Sequence, residues 1–422
     1  MNSLTDIKEF INGFLKRKGA YILFSIVLSK IISFLLSFYV IHQLSPKDYG
    51  NISYAYNIIS FIAPFAGFGI YQSLSRYGPI SKSQQNKKQL FNFILSRGII
   101  ASIILSCIVV ISAKTLTKSL PDSYNYLVLI SLFIISHFIF EVIKIKFRIY
   151  NINKLFAYLE ISHSVILLIL GITLTSFLGG YGYLIALIIS PLIISVYILL
   201  KYKTLRTESK SNYSKEYKKS LWKYGIYTSL GGLTSQLIFS IDILTIGFLM
   251  HDPSEVALYK TASLIPFALL FIPAGVMKTD LVKITQNYQN KKFLKNYVSN
   301  YLKLFFIISI ITFITLYSLS TFIMGLFGSE YILAQDLIPI FAVGLVGAFL
   351  FRNPFGNIIT CVGWVKTNTA ISIIVLLLDV ILNIFLVEKY GIIGAAYSTA
   401  ILLWIAGIAS YIAFLKYLKT LD

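Results

Sequence analysis

The stretch LVLISLFIISHFIF, residues 127–140, is apolar for fourteen positions except at Ser131, Ser136 and His137, and it shows no polar–apolar alternation. A membrane β-strand alternates over about ten residues. An unbroken run reads instead as helix, about 20 residues of which cross a ~30 Å hydrocarbon core. Twelve runs share this character: about 20–43, 51–75, 93–113, 121–143, 156–178, 181–200, 223–249, 256–277, 301–322, 334–361, 365–387 and 391–415. Composition agrees. Of 422 residues, 57% are hydrophobic and 13% charged, and the mean hydropathy is +0.77. A soluble domain carries about 25% charged residues, and one this apolar would expose an aggregating surface. The chain reads as an all-α membrane protein of twelve transmembrane helices.

Basic residues set the expected orientation. With the N-terminus inside, 31 Lys and Arg fall on the cytoplasmic side, 5 fall outside (Lys47, Lys114, Lys118, Lys260, Lys389), and Lys30 lies within a span. That asymmetry follows the positive-inside rule and puts both termini in the cytoplasm. The net charge of +20 is then largely topological, and no nucleic-acid partner is needed to explain it. Residues 3–16, SLTDIKEFINGFLK, place Leu4, Ile7, Ile11, Phe14 and Leu15 on one face, as in an interfacial helix. The first long apolar run exceeds a signal-peptide core and no cleavage site follows it. Cys107 and Cys361 fall toward opposite membrane faces, too far apart for a disulfide. No zinc, metal-binding or redox motif is present.

Punctuation repeats. LSPKDYGNISYA (44–55) and HDPSEVALYKTA (251–262) lie 207 residues apart, each with proline followed two residues later by an acid, Asp48 or Glu255. Tyr181-Gly182 and Tyr390-Gly391 match at a shift of 209, and FIAPFAG (61–67) and FIPAG (271–275) each put proline and glycine inside the second span of a six-span set. The reading is an interfacial segment at 1–19, a six-helix bundle at 20–200, a cytoplasmic linker at 201–222, a second bundle at 223–415 and a tail at 416–422. Six spans per half give both halves one orientation, related by a pseudo-two-fold axis along the membrane normal, as in duplicated transporters. The breaks at Pro64–Gly69 and Pro266–Gly275 free backbone groups that lipid cannot satisfy.

LSPKDYG after span 1, IDILTIGFL (241–249) in span 7, LFGSEYILAQDLIPIFAVG (326–344) and VEKYGIIGAAYSTAI (387–401) resemble the Wzx-type polysaccharide and O-antigen flippases. That branch belongs to the superfamily that also holds the multidrug (MATE) exporters and the lipid II flippase. The resemblance implies two six-helix bundles around a V-shaped cavity in a bacterial inner membrane. It also implies alternating access that moves undecaprenyl-pyrophosphate-linked oligosaccharide outward, with the polysaccharide polymerase machinery as a partner besides membrane lipid.

Charges inside spans cost roughly 2.5–3.5 kcal/mol each on insertion scales, so those present become candidates. Lys30 sits mid-span 1, Arg76 ends span 2, Arg97 lies one turn into span 3, and Arg352 lies in span 10 beside Asn353 and Pro354. These four are the expected cavity cations for an anionic headgroup, arginine gripping phosphate bidentately. Asp242 in span 7 and Asp379 in span 11, with Asn383 a turn later, are candidates for H⁺ or Na⁺ coupling, and so is the His137–Glu141 pair at i,i+4. His163 follows Glu160 by three residues. The alternative for the acids is internal pairing with Lys30 or Arg352. No cofactor is expected. A Walker-type loop and a soluble domain are both missing from the sequence, which argues against an enzyme, and short outer loops argue against a sugar polymerase. A MATE-type exporter of organic cations is the competing transporter, and it would favour acids over Lys30 and Arg352.

Overall fold

The computed structural model describes residues 20–81, 83–150, 153–201, 213–237 and 240–421; the expected interfacial helix at 3–16 and residues 202–212 of the 201–222 linker lie outside these. The described residues are helical and contain no strand. They form two compact units, one of residues 24–237 with 251–257 and one of residues 20–23, 240–250 and 258–421.

The N-terminal unit begins with α1 (Ala20–Gln43) and α2 (Pro46–Ile62). The repeated punctuation explains the start of α2. Ser45 is its N-cap, its hydroxyl accepting from the Asp48 backbone N–H at 3.1 Å. Pro46 fills a first-turn position that needs no donor, and Asp48 complements the positive helix end. After α2 the chain tightens into a 3-10 segment, Ala63–Gly69, that includes Gly67 at φ 60° and Phe68 at φ 48°. A non-glycine residue held there stores strain. The freed carbonyl of Pro64 accepts from the Ser229 hydroxyl at 2.7 Å, so protein replaces the lost helical donor. Then come α3 (Ile70–Ile80), α4 (Gln84–Leu116), α5 (Tyr124–Ile130), α6 (Phe133–Ile149), α7 (Asn153–Lys201) and α8 (Lys215–Leu237). In chain order α8 opens the second half, yet by contact it packs in the N-terminal unit. A Cβ on Gly225 would meet the Gly69 carbonyl oxygen at 2.5 Å, an approach only glycine allows.

The C-terminal unit holds α9 (Ile241–Met250), most of α10 (Pro253–Leu269), α11 (Phe271–Gln286), α12 (Lys291–Ser318), the short α13 (Ser320–Gly325), α14 (Leu337–Gly347), α15 (Asn353–Cys361) and α16 (Val365–Lys419). The first turn of α10 sits with the N-terminal unit: a Cβ on Gly50 would fall 1.7 Å from the Pro253 carbonyl oxygen. The two helices that follow the repeated motifs have equal lengths of 17 residues. Between α14 and α15, residues Ala348–Arg352 widen into a π-turn just before Pro354, which has no N–H to donate.

Among the described residues, eight stretches are long and apolar enough to cross a membrane, and Leu28–Gln43 and Ile241–Met250 are shorter apolar helices. Their outward faces are hydrocarbon. Ile111 is 82% and Phe177 86% exposed, which is tolerable only against lipid. Two stretches, Leu155–Lys201 and Lys366–Lys419, run 47 and 54 residues, about 70 and 80 Å as straight helix. Neither is straight. Gly179 (φ 56°, ψ −136°) bends α7, and Gly391 (φ 59°, ψ −140°) bends α16. The match of Gly182 with Gly391 is thereby corrected. The bend glycines are Gly179 and Gly391, and a Cβ on Gly182 or on Gly394 would each strike the carbonyl eight residues back at 1.9 Å. The structural register is 212, not 209. The conspicuous Tyr-Gly dipeptide misled the sequence comparison, because only a residue without Cβ adopts this backbone, whatever precedes it.

Candidate functional site

The bend at Gly391 turns α16 back on itself, so residues before and after it meet α9 and α10 together. Asp379 and Asn383 come from the first limb, Ser398 and Thr399 from the second, Asp242 from α9 and Tyr259 from α10. All six are essentially inaccessible. The Asn383 amide nitrogen stands 2.8 Å from Asp242 Oδ1 and 2.7 Å from Asp379 Oδ1, so one NH₂ group bridges two carboxylates. The Tyr259 hydroxyl donates to Asp242 Oδ2 at 2.5 Å, and Thr399 Oγ1 donates to the same oxygen at 2.7 Å. Ser398 Oγ donates to Asp379 Oδ1 at 3.3 Å. Among the described residues neither acid makes an ion pair; their partners are neutral donors. Asp379 Oδ2 and Asn383 Oδ1 are buried without a donor.

Two carboxylates in one dry site repel unless a cation or proton joins them. Hard oxygen donors and two orphaned acceptors make a cluster that can accept one proton or one small hard cation. Among the described residues, no group of three His, Cys, Asp or Glu converges as in a transition-metal site. The sequence singled out Asp242, Asp379 and Asn383 but missed Tyr259, Ser398 and Thr399. Ser398-Thr399 lies in the quoted YSTA landmark, where it was read only as part of a repeat.

The cations are placed differently. Arg352 leaves the π-turn and points at α16, donating to Asn368 Oδ1 at 3.3 Å, Ser410 Oγ at 3.3 Å and Ser372 Oγ at 3.1 Å. All three acceptors are neutral. Arg76 is exposed, with its guanidinium 4.9 Å from the Tyr224 ring centroid. Lys30 and Arg97 are also exposed. None of the four is within ion-pair reach of a carboxylate among the described residues.

His137 and Glu141 stand one turn apart on α6, and the ion pair that Glu141 makes is with Lys144. Lys144 Nζ lies 2.7 Å from Glu141 Oε1 and 2.6 Å from Glu160 Oε1, bridging α6 and α7. His137 stacks on Phe133 with centroids 5.4 Å apart. His163 lies against Phe140, and its Nε2 is 3.3 Å from Ser190 Oγ. Lys144 escaped the sequence analysis because span 4 was ended at residue 143, which made it a loop charge. In fact α6 continues to Ile149, which also buries Lys146 with its ammonium 3.4 Å from the Phe91 ring centroid.

Comparison with known proteins extends over this whole frame. The family described as polysaccharide biosynthesis protein matches residues 15–274, and MatE matches residues 228–385. A probable low-salt glycan biosynthesis flippase, Agl15, of Haloferax volcanii is 24% identical over 189 residues, covering 43% of this chain and 39% of its own. Among solved structures, an inward-facing multidrug resistance MATE family transporter of the MOP superfamily aligns with TM-score 0.76 at 15% identity, covering 93% of this chain and 95% of its own. The lipid II flippase MurJ in an inward closed conformation aligns with TM-score 0.69 at 16% identity, covering 94% and 90%. At such identities these two likenesses speak for the fold.

Proposed function

The chain belongs to the polysaccharide biosynthesis protein family, and from that premise we propose that it is a membrane flippase for lipid-linked oligosaccharide. It makes and breaks no covalent bond. It moves a polar headgroup across the membrane by alternating access while the polyprenyl tail stays in lipid. The substrate is an undecaprenyl-pyrophosphate-linked repeat unit carried from the cytoplasmic to the outer leaflet of a bacterial inner membrane, with both termini cytoplasmic and the polymerase machinery as the receiving partner. The architecture is twelve spans in two six-helix bundles around a central V-shaped cavity, related by a pseudo-two-fold axis. The eight long apolar stretches support it, since two of them break at Gly179 and Gly391 and two shorter apolar helices add to the count.

The observation that carries the reading is Arg352. A guanidinium held in a membrane-spanning segment by Asn368, Ser372 and Ser410, with no acid in reach among the described residues, keeps its full charge, and an anion such as pyrophosphate is the ligand that compensates it. Lys30, Arg76 and Arg97, equally without acid partners, add to the cationic surplus and are the other substrate contacts. The drive comes through Asp242 and Asp379, which bind H⁺ or Na⁺ with Asn383 and Thr399 as neutral ligands. Complementation of a deletion strain tests this. Arg352→Glu should abolish surface glycan with the protein still folded in the membrane, and Arg352→Lys should retain part of it because bidentate geometry is lost but charge is kept. Full export by Arg352→Glu would remove the proposal.

A second reading has its own support. The MatE match over residues 228–385 includes both acids of the cluster, and a buried acid pair suits an exporter of organic cations coupled to H⁺ or Na⁺. Unchanged surface glycan with altered drug sensitivity on deletion would favour it.

A further inference from the structure

We propose that the N-terminal unit carries a second ion site, specific for the proton, built from Glu141, Lys144 and Glu160 with His137 and His163 at its edges. This rests on reading the protein as a transporter with an ion-binding acid pair in the other unit. Its basis is charge arithmetic in a confined place. One ammonium lies between two carboxylates, whose side chains are only 22% and 21% exposed, with Lys144 at 13%. Two negative charges and one positive leave the triad at −1 in a region where an uncompensated charge is expensive.

One further positive charge is what the triad lacks, and geometry decides its kind. A sodium ion would take its place between carboxylate oxygens, but the Lys144 ammonium already occupies that position at 2.7 and 2.6 Å. A proton needs no coordination shell. It adds to a carboxylate or to a neighbouring imidazole and brings the cluster to neutrality. Both flanks hold an imidazole: His137 one turn before Glu141 on α6, and His163 one turn after Glu160 on α7. His163 Nε2 is engaged with Ser190, and His137 makes no hydrogen bond among the described residues.

Among the described residues, the other groups packed around α6 do not supply the missing charge. Tyr71 of α3 is the ionisable side chain that faces Glu141 and Lys144 from that helix, and it is neutral near pH 7. The α2 and 3-10 segments contribute no ion, and the described basic groups of α4 do not reach the two acids. Lys146, two residues on from Lys144, points to Phe91 instead. The Glu141–Lys144–Glu160 bridge ties α6 to α7, so a proton that weakens one arm loosens that contact and gives proton binding a route to helix movement.

The test uses the purified full-length protein and needs no glycan. Intrinsic fluorescence, thermal midpoint and proton uptake are followed between about pH 5 and pH 8, where imidazole-containing clusters titrate, with and without sodium. The wild type should show a titration step that sodium leaves in place. Glu160→Gln, which brings the triad to neutrality without a proton, should remove the step, whereas Asp379→Asn should keep it. Should Glu160→Gln fail to fold, His163→Gln is the second variant, expected to shift or shrink the step. A step abolished by sodium, or one unchanged in both variants, would overturn the proposal. In proteoliposomes, Glu160→Gln should lose the response to a pH gradient and keep the response to a sodium gradient. A proton step as described in a protein that moves no lipid-linked glycan would uphold this site and overturn the flippase reading instead.

Discussion

In the C-terminal unit two buried carboxylates share an amide; in the N-terminal unit two carboxylates share an ammonium. The first cluster is built wholly of neutral donors around negative charge, and two of its oxygens have no donor at all. The second holds its own cation and falls one charge short of balance. Both occupy membrane-spanning helices; the first joins segments far apart in sequence, the second two consecutive helices. The difference lies in who supplies the positive charge: in the first it must come from solution, in the second most of it is covalently attached. A site of the first kind selects among small cations by fit. The second, as proposed, would take a proton.

The largest effect expected from this contrast is on stability. Lys144→Met leaves Glu141 and Glu160 buried against each other, and removing one partner of a buried pair costs about 3–5 kcal/mol. The thermal midpoint of the purified protein should fall accordingly. The triple variant Lys144→Met, Glu141→Gln, Glu160→Gln has no buried charge at this place and should recover most of the loss. A cost under about 1 kcal/mol for Lys144→Met alone would mean the triad behaves as a solvated surface pair, and the comparison between the units would collapse.

The C-terminal cluster should respond in the opposite direction. Asp379→Asn removes one of two repelling charges, so in sodium-free buffer it should hold or raise the thermal midpoint. The wild type should gain stability with added sodium at fixed pH, by about 2.7 kcal/mol at a hundredfold excess over the dissociation constant. Asp379→Asn should lose most of that gain. A wild type whose midpoint ignores sodium at fixed pH would remove sodium binding from Asp242 and Asp379.

Much of the frame is legible in the chain itself. Long apolar runs, the Lys and Arg asymmetry and the SPKD/DPSE repeat are local signals, and α1 ends where its run does, at 43. The site is harder to read for a physical reason. Asp242 meets Asn383 across 141 residues and Thr399 across 157, contacts that exist only because Gly391 folds α16 back. One sequence shows the acids as costly residues and says nothing of which hydroxyls will face them. Lys144 was concealed by a different cause: a lysine at the end of an apolar run reads as a membrane anchor, and only the continuation of α6 to Ile149 brings it inside. The bend glycines show the same limit, since Gly179 and Gly182 are both plausible until the backbone angles are known.

The smallest expected effect bears most directly on the charge state of the acid pair. Tyr259 donates to Asp242 Oδ2 beside Thr399, and Tyr259→Phe deletes that one hydroxyl while keeping the ring against Phe341. A hydrogen bond to a charged group contributes about 1.5–3 kcal/mol and one between neutral groups about 0.5–1.5 kcal/mol. In sodium-free buffer near neutral pH, with Asp242 ionised and its positive partner in solution, Tyr259→Phe should cost toward the upper range. With saturating sodium, or at a pH low enough to protonate the pair, the bound cation or proton takes over the carboxylate and the cost should shrink toward the lower range. Thr399→Val should behave alike, because its hydroxyl serves the same oxygen. A cost that is the same under all three conditions would mean that Asp242 does not change its charge or its ligands, and the ion would have to be sought at the N-terminal triad alone.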